Sequence, residues 1–235
     1  MKGILLAGGT GSRLYPLTKV TNKHLLPIYN KPMIFHPLQS LIDLGIKEIM
    51  IVTGVEHCGH IISLLGDGSE YGINLTYKVQ TSSGGIAQAL GLCENFVGND
   101  SVCVILGDNI YSEKLNITDF KSGCKLFLKS VPDPERFGVA NLDNNGQIVS
   151  LEEKPKNPKS NLVVTGFYIY DNSVFSLIKT LKPSKRNELE ITEVNNIYVK
   201  NKNCIWETVN GEWTDSGTFE SLYKANTIIY NKSLS

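Results

Sequence analysis

Apolar residues in this chain follow one pattern up to about residue 110 and another beyond it. In the first stretch, short unbroken apolar runs alternate with segments of helical spacing. Lys2–Ala7 reads KGILLA and stops at glycines, as a strand buried on both faces does. Residues 33–44 put Ile34, Leu38, Leu41 and Ile42 on one helical face, with Gly45 as a C-terminal stop. Pro37 falls inside that stretch and predicts a distorted first turn, because it lacks an N–H and crowds the preceding turn. A second strand is expected at 46–53, a helix at 56–65 ended by Gly66, and a third strand at 73–80. Ile86, Leu90, Cys93 and Val97 share a face of a further helix, and the run SVCVILGDN is another buried strand ending at Gly107, Asp108 and Asn109. This alternation predicts an α/β fold with a parallel sheet covered on both faces and right-handed crossovers.

Beyond residue 110, FGVANLDNNGQIVSLEEKP holds two strand-like runs around Asn145-Gly146, a hairpin signal, and NLVVTGFYIYD is one more strand. Helical stretches follow at 174–181, 189–199 and 219–230. No internal repeat, low-complexity tract or linker interrupts the chain, so 1–235 reads as one domain whose second half is built onto the first sheet.

Composition narrows the function classes. The 235 residues carry 23 Lys plus Arg against 23 Asp plus Glu, a neutral balance that argues against a dedicated nucleic-acid or membrane-surface binder. The apolar stretch at the start is too short, and too soon broken by glycine, for a signal peptide or a spanning helix, so a soluble cytoplasmic protein is expected. Cys58, Cys93, Cys103, Cys124 and Cys204 are scattered without a CxxC pair and read as small buried hydrophobes. His57 and His60 flank Cys58 without an apparent fourth ligand and read as ordinary helix residues.

The chemistry concentrates where the first strand ends. Gly8, Gly9, Thr10, Gly11 and Ser12 offer a row of bare backbone N–H groups, a cradle for phosphate oxygens. Gly11 is followed by Ser12-Arg13 rather than GK[ST], which excludes a Walker loop. Leu14 stands where a dinucleotide fingerprint needs its third glycine, so hydride chemistry is poorly supported. A tight turn with no ligand is the alternative for the glycines alone. Arg13 and Lys23 are fixed positive charges in an otherwise apolar neighbourhood, and with the glycines they suggest a polyanion clamp.

The segments KGILLAGGTGSRLYPLT, NKHLLPI, LGDN, DPERFGV, LEEKP, VTGFYIYD, ELEIT and WTDSGT resemble, in order along nearly the whole chain, the sugar-phosphate nucleotidylyltransferases, and among them the glucose-1-phosphate thymidylyltransferases. The resemblance implies a Rossmann-like three-layer nucleotidyltransferase fold with a mostly parallel central sheet and a sugar-binding sub-region. It makes 1–110 the nucleotide-binding half, and 111–235 the sugar-phosphate half with a C-terminal helix. The implied reaction joins dTTP and glucose 1-phosphate to give dTDP-glucose and pyrophosphate, with Mg²⁺. By the same resemblance Leu6, Gly8, Gly9, Thr10, Gly11, Arg13, Gln80, Gly85 and Asp108 would hold the nucleotide. Asn109, Gly138, Glu153, Lys154 and Val164 would surround the sugar phosphate, and Asp108 and Asp215 would carry the metal. A uridylyltransferase, an enzyme for a related hexose 1-phosphate, or a non-catalytic nucleotide-sugar sensor are the alternatives. A homo-oligomer is expected by analogy. The chain runs about twenty residues past Asp215, which resembles the short form of the family, without the extension that carries a regulatory nucleotide site.

The residues are consistent with that chemistry. Two polyanions repel, so cations must gather around them, and Arg13, Lys23, Lys154 and a divalent ion meet that need. An ionised phosphate is itself the nucleophile, so no general base is required. Glu153 is the expected reader of sugar hydroxyls, with Glu152 pointing to the other face of its strand. The Gln80 amide matches the donor and acceptor on a pyrimidine edge, thymine and uracil alike. Trp213 could stack on a ligand or pack in the core. His24 stands where the family more often has glutamine.

Overall fold

A computed structural model describes residues 1–234. Along the chain the elements are β1 (Lys2–Ala7), β2 (Pro27–Ile28), β3 (Lys31–Pro32), α1 (Phe35–Asp43), β4 (Glu48–Gly54), α2 (Cys58–Leu65), β5 (Asn74–Gln80), α3 (Ile86–Gly91), α4 (Glu94–Val97) and β6 (Val102–Leu106). There follow β7 (Asn109–Tyr111), β8 (Cys124–Ser130), β9 (Gly138–Leu142), β10 (Ile148–Glu153), β11 (Leu162–Tyr170), α5 (Ser173–Ile178), α6 (Ile191–Lys200), β12 (Cys204–Thr208), β13 (Trp213–Asp215) and α7 (from Phe219).

Two local expectations need correction. The helix predicted at 33–44 begins at Phe35, which puts Pro37 in its first turn. Backbone N–H groups there have no intrahelical acceptor, so proline removes no helical hydrogen bond; His36 N instead bonds Met33 O at 3.2 Å, a tighter turn at the entry. The single helix expected over Ile86 to Val97 is two: α3 ends at Gly91, and α4 starts afresh at Glu94.

The described residues form two compact units, each discontinuous in sequence. The first holds Lys2–Ser83, Ile105–Ile117 and the chain from Asn210 onward. Its central sheet is parallel, with β1 paired to β4 (Gly3 opposite Ile49 through Ala7 opposite Thr53) and β4 to β5 (Glu48 opposite Asn74 through Gly54 opposite Gln80). Ile4, Leu5, Ile49 and Ile51 are fully buried, while exposure alternates along the edge strand β5. Helix α7 closes a second core of Ile28, Met33, Ile110, Ala225 and Ile228.

The second unit comprises Met1, Gly84–Val104 and Thr118–Val209. Gly84–Val104 therefore packs with later residues and the C-terminal helix with earlier ones, unlike a division at residue 110. β9 and β10 form the expected hairpin, with Gly146 at positive φ and its N–H bonded to Asp143 O at 3.0 Å. β11 pairs antiparallel with β8 through a bulge between Val164 and Tyr168, and β12 adds to the other edge of β8 in parallel. The sequence reading did not identify β8, and Lys125 shows why. This lysine interrupts the apolar run yet is 2% exposed, because its ammonium lies 2.6 Å from Glu207 of β12 and over the Phe127 ring. Among the described residues no helix is long and apolar enough to cross a membrane.

Candidate active site

In the first unit, β1 runs buried as far as Ala7 and opens into the glycine turn. Gly8 lets the Gln80 side chain lie against the backbone: a Cβ there would stand 2.7 Å from Gln80 Oε1. Gly11 has φ of 65°, and a Cβ would strike Thr18, whose hydroxyl donates to Gly11 O at 2.9 Å. The chain then makes a short 3₁₀ turn over Ser12–Leu14, anchored by fully buried Leu14 and leaving the Arg13 side chain exposed.

Lys23 begins a second 3₁₀ turn, Lys23–Leu25, capped by Asn22, whose side-chain oxygen accepts from His24 N at 2.9 Å. That turn aims Lys23 Nζ at Asp108 Oδ2, 2.5 Å away, with both side chains largely withdrawn from solvent. Burial opposes ionisation of Asp108. The Lys23 charge, together with hydrogen bonds from Lys23 and from Asn109 Nδ2 at 2.9 Å, outweighs it and holds the carboxyl well below the usual carboxylate range. His24 is 1% exposed, with Nδ1 lying 2.6 Å from Asn22 Oδ1. Burial and the Lys23 charge push its pKa down to about 3, so the ring is neutral and donates from Nδ1.

The missing link in the sequence is β13. It pairs antiparallel with β7, setting Asp215 opposite Asn109, and the Ser216 N–H to Asp108 O bond of 2.8 Å carries the pairing one residue further. Asp108 and Asp215 thus come from sequence-distant segments to one end of a two-stranded ribbon. Arg13 joins them, since Arg13 Nη2 and Asp215 Oδ2 lie 2.8 and 3.0 Å from where a Cβ on Gly217 would be. Trp213 is buried and donates its indole N–H to Asn109 Oδ1 at 2.7 Å, so it packs and positions rather than offering a stacking face. Asn109 is likewise buried, its amide spanning Asp108 and Trp213.

These donors suit a small divalent cation in kind. Asp108 is ionised beside a cation, Asp215 is one register step away, and the buried Ser216 hydroxyl has no hydrogen-bond partner among the described residues. A hard ion taking two carboxylates and completing its shell with water and phosphate oxygens matches such a set.

The second unit assembles a different cluster. Glu153 ends β10 opposite Gly138, and its Oε2 accepts from Thr192 Oγ1 at 2.5 Å while Oε1 accepts from Arg186 Nη2 at 3.1 Å. Glu152 faces the other way, taking a bond from Asn141 Nδ2 at 2.9 Å, as alternation along a strand requires. Lys154 follows at positive φ, its Nζ 3.7 Å from Glu153 Oε1. Glu190 is gripped by Arg186 at 2.7 Å and by Ser184 at 2.6 Å. A cavity of about 600 Å³ is lined by Glu153, Lys154, Arg186 and Glu190 among others. Val164 sits beside the β11 bulge, where the buried Thr165 hydroxyl has no partner among the described residues. Gly85 belongs to this unit too. Its φ is 93° and a Cβ would come within 2.6 Å of Leu189 O, which locks the start of α3 onto the ELEIT segment. Sequence reasoning assigned no role to Arg186, Thr192 or Glu190, although NELEIT was the visible signal. His57, the N-cap of α2, and His60 within that helix stack with ring centres 5.7 Å apart.

Residues 2–232 match the nucleotidyl transferase family, to which the chain belongs. Within it the relatives are glucose-1-phosphate thymidylyltransferases. The enzyme of that name from Neisseria meningitidis is 45% identical, over 97% of this chain and 82% of its own length; that from Mycolicibacterium smegmatis is 43% identical over 97% and 82%. Among solved structures, a Bacillus anthracis protein provisionally given the same name, in complex with a sucrose, is 57% identical, with a TM-score of 0.92 over 97% of this chain and 94% of that one. A UDP-glucose pyrophosphorylase shares the fold at 24% identity and a TM-score of 0.85.

Proposed function

We propose that this chain transfers a thymidylyl group from dTTP to glucose 1-phosphate, giving dTDP-glucose and pyrophosphate. The observation that carries the reading is the β7–β13 ribbon, which gathers Asp108, Asp215, Lys23 and Arg13 in one unit with the glycine turn. The names and coverage of the relatives support the choice of substrates.

In this reading the N–H groups of Gly8 to Gly11 cradle the triphosphate, and Gln80, pressed against Gly8, reads the base edge. Arg13 forks onto the leaving pyrophosphate, where charge grows as the bond breaks. Asp108 and Asp215 hold Mg²⁺, which supplies charge neutralisation of the phosphates when bound. Lys23 keeps Asp108 ionised and steers its oxygens.

On the sugar side, Lys154 binds the phosphate of glucose 1-phosphate, and Glu153 accepts from sugar hydroxyls. Thr192 and Arg186 fix the Glu153 carboxylate from opposite oxygens, which lowers the entropy lost when a sugar binds. The sugar phosphate is ionised near neutrality and attacks in line without a base.

The test is a matrix of nucleoside triphosphates against hexose 1-phosphates, read by pyrophosphate release with Mg²⁺. dTTP with glucose 1-phosphate should give the highest kcat/KM. UTP should serve as a poorer substrate, since one methyl is worth only about 1 to 3 kcal/mol in a pocket. Absence of pyrophosphate release from dTTP and glucose 1-phosphate would overturn the assignment.

A further inference from the structure

Of the five cysteines, Cys93 and Cys103 are buried in the core, and Cys58 is half-buried on α2. The other two meet. Cys124 opens β8, Cys204 opens β12, and the parallel register sets them directly opposite one another. Cys124 is buried, Cys204 is half-buried, and both are free thiols; the Cys204 thiol donates to Ile205 O at 3.7 Å. Among the described residues β12 pairs only with β8, so it is an edge strand.

We propose that Cys124 and Cys204 are a reversible oxidation site, closing to an intramolecular disulfide when the chain meets a small-molecule disulfide such as oxidised glutathione. The proposal does not depend on the assigned activity. Neighbouring strands lie about 4.8 Å apart, inside the Cα window of roughly 4.4 to 6.8 Å for disulfides. The Cβ atoms of directly opposed parallel residues must draw in slightly further than the strands already sit. An edge strand bonded on one side can make that adjustment where a central one could not. Closure under mild tension yields a bond that is readily reduced, the property that separates labile disulfides from structural ones.

The order of events follows from burial. Burial, with the Cys204 thiol as a neighbour, pushes the Cys124 thiol up and keeps it neutral, so Cys204, the more exposed, reacts first. Its thiolate attacks one glutathione sulfur, forming a mixed disulfide and expelling a glutathione thiolate. The Cys124 sulfur, opposite in the register, passes its proton to the glutathione thiolate just expelled as it attacks the Cys204 sulfur, releasing the second glutathione thiolate. Two protein thiols are oxidised, one glutathione disulfide is reduced, and the two released protons end on the two glutathione thiols.

The full-length chain, incubated with excess oxidised glutathione and quenched by alkylation, should lose two hydrogen atoms in mass and two alkylatable thiols. Peptide mapping should link the segments holding Cys124 and Cys204, dithiothreitol should restore both thiols, and amide exchange across 204–208 should slow in the oxidised form. Cys124→Ser should instead trap Cys204 as a stable glutathione adduct, and Cys204→Ser should leave Cys124 unmodified. Wild type that accumulates a glutathione adduct at Cys204 with Cys124 still free would overturn the proposal. So would both thiols staying unreacted under conditions that modify Cys58.

Discussion

His24 gives the sharpest quantitative test of the site's electrostatics. Its ring is buried and neutral, with a pKa of about 3 in the folded chain against an ordinary value of 6.5. A folded pKa below the unfolded one means that, between those values, the unfolded chain holds a proton that the native chain does not. Stability from this residue is therefore fully present above pH 6.5 and is lost as pH falls towards 3. Linkage sets the slope at about 1.4 kcal/mol per pH unit inside the window, and the total at about 4 to 5 kcal/mol across it. His24→Gln keeps an amide donor able to reach Asn22 Oδ1 but cannot titrate. Urea unfolding of both chains from pH 7.5 down to 4.5 should show the wild type losing stability faster, with a difference slope approaching that value near pH 5. Using the difference cancels the carboxylates that both chains share. Parallel acid limbs would refute the reasoning, since they would mean that His24 is solvated or already charged in the native state.

Asp108→Asn should fold normally yet lose most turnover at saturating Mg²⁺, because it removes one of two carboxylates offered to the metal and the counter-charge of Lys23; wild-type kcat would remove Asp108 from the site. Arg13→Ala should reduce kcat by about 10² to 10³, the scale for a donor to charge that grows in the transition state, with little change in thermal stability. Thr192→Val should raise KM for glucose 1-phosphate more than it lowers kcat, since it frees Glu153 Oε2 without touching the phosphates; an unchanged KM, measured with dTTP saturating, would separate Glu153 from sugar binding. Glu207→Gln should destabilise the chain in urea unfolding by about 3 kcal/mol, because it removes the carboxylate beside the buried Lys125 ammonium, whereas Lys125→Met with Glu207→Gln should recover most of that loss.

What the sequence made legible was local. The apolar run into the glycine turn gave β1 and its cradle, the Asn145-Gly146 pair gave the β9–β10 hairpin, and period-2 alternation separated the directions of Glu152 and Glu153. What it hid was register. β7 and β13 are three residues each, too short for any periodicity, yet their pairing is what carries Asp215 to Asp108 across more than a hundred residues. β8 was hidden by Lys125, a charge that reads as surface until Glu207 is found beside it.

The same distinction sorts the candidate residues. Arg13, Lys23 and Asp108 could be picked out because a charge next to glycine, proline or a buried strand is locally anomalous, whereas Lys154 came only with the family resemblance. Thr192, Arg186 and Asn22 could not, because each acts on another side chain: Thr192 and Arg186 on Glu153, and Asn22 on His24. A threonine or an arginine on a helix or loop has an ordinary local context, and only the partner's position gives it a role. Lys23 was legible as an anomalous charge, but its pairing with Asp108, like the roles of Thr192, Arg186 and Asn22, appears only in three dimensions. Asp108, which was legible from its motif, is in this way held ionised by Lys23, 85 residues away.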